Sequence, residues 1–313
     1  MSSEQDGRNR GRSSRPREGD SLADDLVSVS PPSPSWIDER LKLARDVKKV
    51  LARYATTHLG ADHGTVLQLA SGTQAIYLIN EVLEIQIETG KSLDLHVLTT
   101  NLRVMELVRS YKTQHPGLFD SLGVVLTGGV LHPSLHSLVG EFAARHVATE
   151  EITPNIVFLG AKGVSFEGTE LSVRYPFQEQ LSTQKAYATR KTHHRVVIFD
   201  HTKLGDESGW DAGIGMSELV HRADLCSFVT SWPNTPGEQA VARRHEKGFL
   251  DMLQAKKDTL AGKQVVLRFI NERGEVHHEV PEPKSNRAKR PNSRNNRKSQ
   301  VSKGNKKPRS KRR

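Results

Sequence analysis

The sequence predicts an α/β protein, a mostly parallel sheet with helices on both faces, flanked by disordered tails, and three observations predict it. Short β-branched or apolar runs alternate with longer stretches of helical periodicity. Five of those runs end in glycine and small or charged polar residues, and the stretches poorest in apolar side chains lie at the two ends of the chain. Buried strands alternating with amphipathic helices are the pattern of a parallel sheet covered on both sides.

The two ends distort the bulk numbers. Hydrophobic residues make up 35% of the 313, and residues 284–313 hold 14 Lys and Arg, no Asp or Glu, and only Ala288 and Val301 as apolar side chains. Such a segment cannot bury enough surface to offset its ordering entropy. Residues 1–35 read similarly, mixing six acids with five arginines before Ser30-Pro31-Pro32-Ser33-Pro34. Both ends are expected to be disordered, around a body at 36–283 long enough for a sizeable core. The formal net charge is +10, and with 14 positive charges in the tail the rest of the chain sums to −4. The body is mildly acidic, so nucleic-acid binding must rest on the tail. Cys226 is the one cysteine, which excludes an intramolecular disulfide and a cysteine-based zinc site. No apolar run is long enough for a membrane span or signal peptide. A soluble, cytoplasmic protein is expected, with no cofactor, metal or membrane partner.

The body opens with a helical stretch over 36–58. Leu41, Ala44, Val47, Leu51, Tyr54 and His58 fall at three- and four-residue spacing, and Gly60 offers an end. Strands are then expected at 65–69, 95–98, 124–126, 156–159, 196–199, 225–229 and 265–269. Helices are expected between most of them, at 75–87, 102–113, 138–148, 178–192 and 239–259.

The residues just past each strand bear on function. The runs end in Ser71-Gly72-Thr73, Thr99-Thr100-Asn101, Thr127-Gly128-Gly129, Gly160-Ala161-Lys162-Gly163 and Asp200-His201-Thr202-Lys203. Open parallel sheets bind ligands beyond the carboxyl ends of their strands. Turns between strand and helix also need Gly, Ser and Thr for geometry and capping, so each loop alone has an ordinary reading. Ser71-Gly72-Thr73 opens a helix, where free N–H groups and hydroxyls favour an anion, although an N-cap reading fits as well. The Walker pattern is absent. Asn101 either caps its helix or offers an amide to a sugar hydroxyl, and Gly128-Gly129 either makes a tight turn or leaves room for a ligand. Asp200 can accept from sugar hydroxyls and Lys203 can pair with a phosphate; their alternative is an N-capping Asp beside a solvated Lys. His201 reads as structural or exposed, and His193 and His194 as the end of a helix without a role.

The order S-G-T, T-N, G-G with Gly140, Phe158-Leu159-Gly160-Ala161 with Gly163, and Asp200 with Lys203 and Gly205 resembles the C-terminal effector-sensing domain of DeoR-type transcriptional regulators, over about Val47 to Trp232. The resemblance implies a fold like ribose-5-phosphate isomerase and a phosphorylated sugar or related metabolite as effector. It implies that Ser71, Gly72 and Thr73 hold phosphate while Thr100, Asn101, Asp200 and Lys203 line the sugar side. Lys185 stands where the family has a lysine in the preceding helix. Gln74 replaces a second Thr, and His201-Thr202 replaces a pair of small residues. The family carries a winged helix-turn-helix upstream; the 35 mostly polar, Pro- and Arg-containing residues before Trp36 show no three-helix apolar pattern, so the usual DNA reader is expected to be lacking.

The tail suits a polyanion. Lys289, Arg290, Arg294, Arg297, Lys298, Lys306, Lys307, Arg309, Lys311, Arg312 and Arg313 can neutralise many phosphates, giving salt-sensitive contact with DNA or RNA. Without aromatic residues or an ordered helix they do not read sequence, and a merely solubilising tail is the alternative. The expected function is sugar-phosphate sensing in transcriptional regulation, with self-association and a separate DNA-binding partner as further expectations. An aldose–ketose phosphate isomerase is the enzymatic alternative. It needs a positioned base and a group that polarises oxygen, and no Asp or Glu occurs from Ser121 to Gly140. A nucleic-acid-associated scaffold with a vestigial pocket is the third reading.

Overall fold

The computed structural model describes residues 36–59, 64–149, 151–166 and 170–280. The basic tail positions singled out above lie outside the described residues.

An eight-stranded sheet organises the body. It contains β1 (Val66–Leu69), β2 (His96–Thr99), β3 (Gly123–Leu126), β6 (Ile156–Leu159), β9 (Thr192–Phe199), β11 (Ala223–Ser231), β12 (Gln264–Ile270) and β13 (Val276–Val280), in the spatial order β13-β12-β11-β9-β6-β1-β2-β3. All neighbours pair in parallel except β13, which runs antiparallel to β12. From β1 the chain winds outward through β2 to β3, then returns to the other side of β1 and winds the opposite way. The winding direction therefore reverses between β1 and β6, which opens a crevice beyond their carboxyl ends.

Alternate side chains of the strands feed two cores. Leu67, Leu69, Phe158, Val196 and Ile198 face one side, where α2 (Arg45–His58), α3 (Thr73–Thr89) and α4 (Leu102–Gln114) cover them. Val157, Leu159, Val197 and Phe199 face the other side, against α5 (Gly140–Ala148), α6 (Leu181–Thr189), α7 (Met216–His221) and α8 (Pro236–Ala255). This period of two across buried strands requires apolar residues on both faces, which explains why the strands read as continuous apolar runs. Phe166, Phe228 and Phe249 meet edge-to-face at centroid separations of 5.1, 5.2 and 5.8 Å on the second side. Gly248 lets α8 approach there, since a Cβ would stand 1.6 Å from the Phe166 carbonyl oxygen. Among the described residues, no helix is long and apolar enough to cross a membrane.

Several elements differ from the sequence expectation. The opening stretch is two helices, α1 (Trp36–Lys42) and α2, because Ala44 takes a left-handed backbone (φ 50°, ψ 38°). His193 and His194 do not end a helix but begin β9; His194 is half-buried against the Ser227 hydroxyl at 2.8 Å. The segment before α5 is a hairpin of β4 (Val130–His132) and β5 (Ser137–Val139). A small antiparallel sheet of β7 (Gly163–Ser165), β8 (Ser172–Tyr175) and β10 (Trp210–Asp211) flanks the crevice. α8 starts at Pro236, three residues earlier than expected, because Thr235 Oγ1 accepts from the Glu238 N–H at 3.3 Å and Pro suits a first turn.

Candidate functional site

The crevice at the reversal point is a cleft partly open to solvent. The loops after β1, β6 and β9 form its floor, through Ser71–Gln74, Gly160–Lys162 and Asp200–Lys203. α1 and α2 contribute Arg40 and Lys48 to its lining, and the end of β8 with the turn that follows contributes Tyr175, Pro176 and Gln180.

The loop after β1 leaves the start of α3 open. Gly72 adopts φ 122°, ψ 170° and no side chain caps the helix. A Cβ on Gly72 would meet nothing within 4 Å, so its conformation requires glycine while its surroundings leave space for a ligand. Unsatisfied N–H groups and the positive end of a 17-residue helix thus face the cleft.

Four cations line the same cleft: Arg40, Lys48, Lys162 and Lys203. Lys162 is ion-paired with Asp206 at 2.5 Å, and burial, the largest influence on Asp206, is outweighed by hydrogen bonds from Lys162 and Ser208 that hold its carboxyl at about 2. Lys48 donates to the backbone carbonyls of Arg40 and Leu43, both at 2.6 Å. Burial lowers its ammonium to about 8; Asp200 works against that shift, and Arg40 and Lys203 add to it. Lys203 is likewise lowered, first by burial, with Asp200 opposing. Among the described residues lining the cleft, Asp200 is the sole carboxylate, and it accepts the Thr202 hydroxyl. Desolvated cations crowded around one carboxylate form a site suited to an added anion.

Of the residues singled out from sequence, Ser71, Gly72, Thr73, Asp200 and Lys203 line this cleft, and Thr100, Asn101, Gly128, Gly129 and Lys185 do not. Thr100 and Asn101 are fully buried. Thr100 bonds to Ser137 and Tyr187, at 3.2 and 3.3 Å between hydroxyls. Asn101 caps α4 by accepting from the Arg103 N–H at 3.0 Å and donates to the Gly72 carbonyl at 3.1 Å. Its amide thus braces the open loop from below instead of facing a sugar. Gly128 and Gly129 allow a close approach to α5: a Cβ on Gly129 would lie 2.7 Å from the Ala143 Cβ. Lys185 is half-exposed, 3.8 Å from Glu218. His201 binds the Ser231 hydroxyl at 2.8 Å and faces Glu238 at 3.5 Å, a structural arrangement.

Sequence reasoning missed Arg40, Lys48, Tyr175 and Gln180. The two cations lie among other basic residues on what reads as one amphipathic helix. Tyr175 and Gln180 come after a stretch with no strand signal. Gln74, noted as replacing Thr, does line the cleft and donates to the Lys48 carbonyl at 3.2 Å.

A family model described as the DeoR C terminal sensor domain matches residues 44–213, just over half of the chain. No curated protein matches. Among solved structures, the chain is similar to ribose 5-phosphate isomerase A from Methanocaldococcus jannaschii, with 19% identity over 52% of this chain and 58% of that one and a TM-score of 0.35. It is also similar to ribose 5-phosphate isomerase from Plasmodium falciparum (15% identity, 50% and 52% covered, TM-score 0.34) and to eIF2B delta from Chaetomium thermophilum (17% identity, 56% and 54% covered, TM-score 0.30). The chain spans just over half the length of each. By the match over residues 44–213, the chain belongs to the family of DeoR C terminal sensor domains.

Proposed function

We propose that the chain senses a sugar phosphate, or a related phosphorylated metabolite, in transcriptional regulation. One observation carries this reading: the uncapped start of α3 at Gly72-Thr73 opens into a cleft where Lys48 and Lys203 are held desolvated. N–H groups at a helix start and nearby ammonium groups are complementary to a phosphate. Ser71 and Thr73 add hydroxyls, and Asp200 supplies an acceptor for the ligand's remaining groups.

The test is thermal unfolding of the full chain across a panel of sugar phosphates. A ligand at a hundredfold its dissociation constant stabilises by about 2.7 kcal/mol. A shift with at least one compound is expected, and no shift with any at millimolar concentration would end the reading.

The enzymatic alternative draws less from the cleft. Isomerisation needs a base and a polarising group, and Asp200 is the one carboxylate among the described residues lining it, hydrogen-bonded to Thr202 beside Lys203. We read the site as sensing without turnover. Loss of any ribose 5-phosphate turnover in Asp200→Asn would reverse that. The output we infer is contact with nucleic acid through the basic tail, or with a separate DNA-binding partner, by a self-associating cytoplasmic protein. Comparing salt-dependent DNA binding of the full chain with that of a chain truncated at Lys284 measures the tail's share. Equal affinity removes the tail from the reading and leaves the partner.

A further inference from the structure

The cleft has a second wall that the phosphate reading does not use. Tyr175 ends β8, and five residues later Gln180 completes a 3-10 turn (Gln178–Gln180) that leads into α6. Both line the cleft, and only 3% of Tyr175 and 2% of Gln180 is exposed. Tyr175 Oη and Gln180 Oε1 are buried without a hydrogen-bond partner among the described residues. Proteins leave few buried polar atoms unpaired, because each costs the desolvation it does not recover. Two on one short segment, both at the wall of the same cleft, point to groups that a ligand satisfies.

Their chemistry limits what that ligand presents. Gln180 Nε2 is engaged, donating to Ser71 Oγ at 2.9 Å, which turns Oε1 away from the loop as an acceptor. Turned over, the amide would place Nε2, a donor, in the orphan position and leave the Ser71 hydroxyl to donate to Oε1. The phenol of Tyr175 both donates and accepts, and burial raises its pKa, so it stays protonated. A phosphate dianion only accepts, so it serves the wall in one orientation of the amide alone, whereas a group that both donates and accepts serves it in either. An alcohol donates and accepts, and it satisfies both groups.

We propose that Tyr175 and Gln180 form a hydroxyl-reading wall of the cleft, and that they select a phosphorylated polyol over bare phosphate. The inference rests on the sensing reading, with the anion held near Gly72, Lys48 and Lys203. It adds that specificity lies on the end of β8 and the turn before α6.

Calorimetric titration of the full chain with inorganic phosphate, ribose 5-phosphate, fructose 6-phosphate and glycerol 3-phosphate tests it. At least one polyol phosphate is expected to bind about tenfold or more tightly than inorganic phosphate, as a recovered buried hydrogen bond provides. Tyr175→Phe, which conserves volume, is expected to reduce that ratio by about tenfold while phosphate affinity stays unchanged; Gln180→Met is expected to reduce the ratio likewise and, through the lost Ser71 contact, to weaken phosphate as well. Lys203→Met is expected to weaken all four compounds together. A ratio that survives both wall variants overturns the proposal. Binding of phosphate with no preference for any polyol phosphate also overturns it, yet leaves the anion site standing. Binding of none of the four overturns the sensing reading and this inference together. Tyr175→Phe keeps the test open if Gln180→Met disturbs the Ser71 contact, because the phenol it removes bonds to none of the described residues.

Discussion

Gln180 Nε2 donates to Ser71 Oγ at 2.9 Å, joining the loop after β1 to a residue 109 positions farther along the chain. Gln184 Nε2 reaches the same oxygen at 2.6 Å. A serine oxygen has two lone pairs, so the two amides use both and the hydroxyl proton is directed elsewhere.

Ser71→Ala leaves both buried amides without their acceptor. A loss of about 1–3 kcal/mol in unfolding free energy is expected, as for a buried donor left unpaired. Urea denaturation measures it, and an unchanged midpoint would show that the two glutamines do not depend on Ser71.

Tyr175→Phe behaves in the opposite direction. It removes a buried hydroxyl that lacks a partner, so the ligand-free protein is expected to gain up to about 1 kcal/mol. A lower melting temperature would show instead that the hydroxyl is satisfied in solution.

The lysine in α2 gives the cleft a pH dependence with two signs. Burial holds Lys48 at about 8, with Asp200 opposing and Arg40 and Lys203 reinforcing. Above that pH the ammonium is lost, and an anion loses one of its attractions. Sulfate, whose charge is constant here, is therefore expected to bind several-fold more weakly as pH rises through 8, and Lys48→Met should flatten the profile. Without ligand the trend reverses. Between about 8 and the ordinary lysine value of 10.5, the unfolded chain binds the proton that the folded one has released, so stability rises with pH. Titration by calorimetry and unfolding at each pH separate the two trends.

The glycines of Phe158-Leu159-Gly160-Ala161-Lys162-Gly163 are not equivalent. A Cβ on Gly163 would stand 1.8 Å from the Asp206 carbonyl oxygen, whereas one on Gly160 meets nothing nearer than the Gln74 Cβ at 3.9 Å. Gly163→Ala is expected to destabilise by at least about 1–3 kcal/mol, the cost of forcing an overpacked contact. Gly160→Ala is expected to fold nearly as well as the native chain. Melting temperatures of the two variants decide this.

The central sheet was legible in the sequence because β1, β6, β9, β11 and β12 are buried on both faces and must be largely apolar. β13 was not, since Val276, His277, His278 and Glu279 are exposed and only Val280 is buried. The short strands β4, β5, β7 and β10 carry too few residues for a period to register, and in β8 Ser172 and Arg174 interrupt the apolar run. The break at Ala44 has no glycine or proline to announce it. In the site, the polar strand ends marked the floor, but a buried polar residue after a strand faces either the ligand or the scaffold. Asn101 and Asp200 stand at strand ends alike; the first is spent on Gly72 and α4, and the second opens on the cleft. The walls needed three dimensions, because Arg40, Lys48, Tyr175 and Gln180 come from segments whose local patterns carry no functional mark.

The separation of those walls along the chain has an evolutionary consequence. In the proposed reading the charged end is held by α2 and the loops after β1 and β9, whereas Tyr175 and Gln180 lie five residues apart, at the end of β8 and in the turn before α6. On the proposed reading, changes at Tyr175 would retune which metabolite is answered and leave the charge-holding loops untouched, whereas changes at Gln180 would reach Ser71 as well.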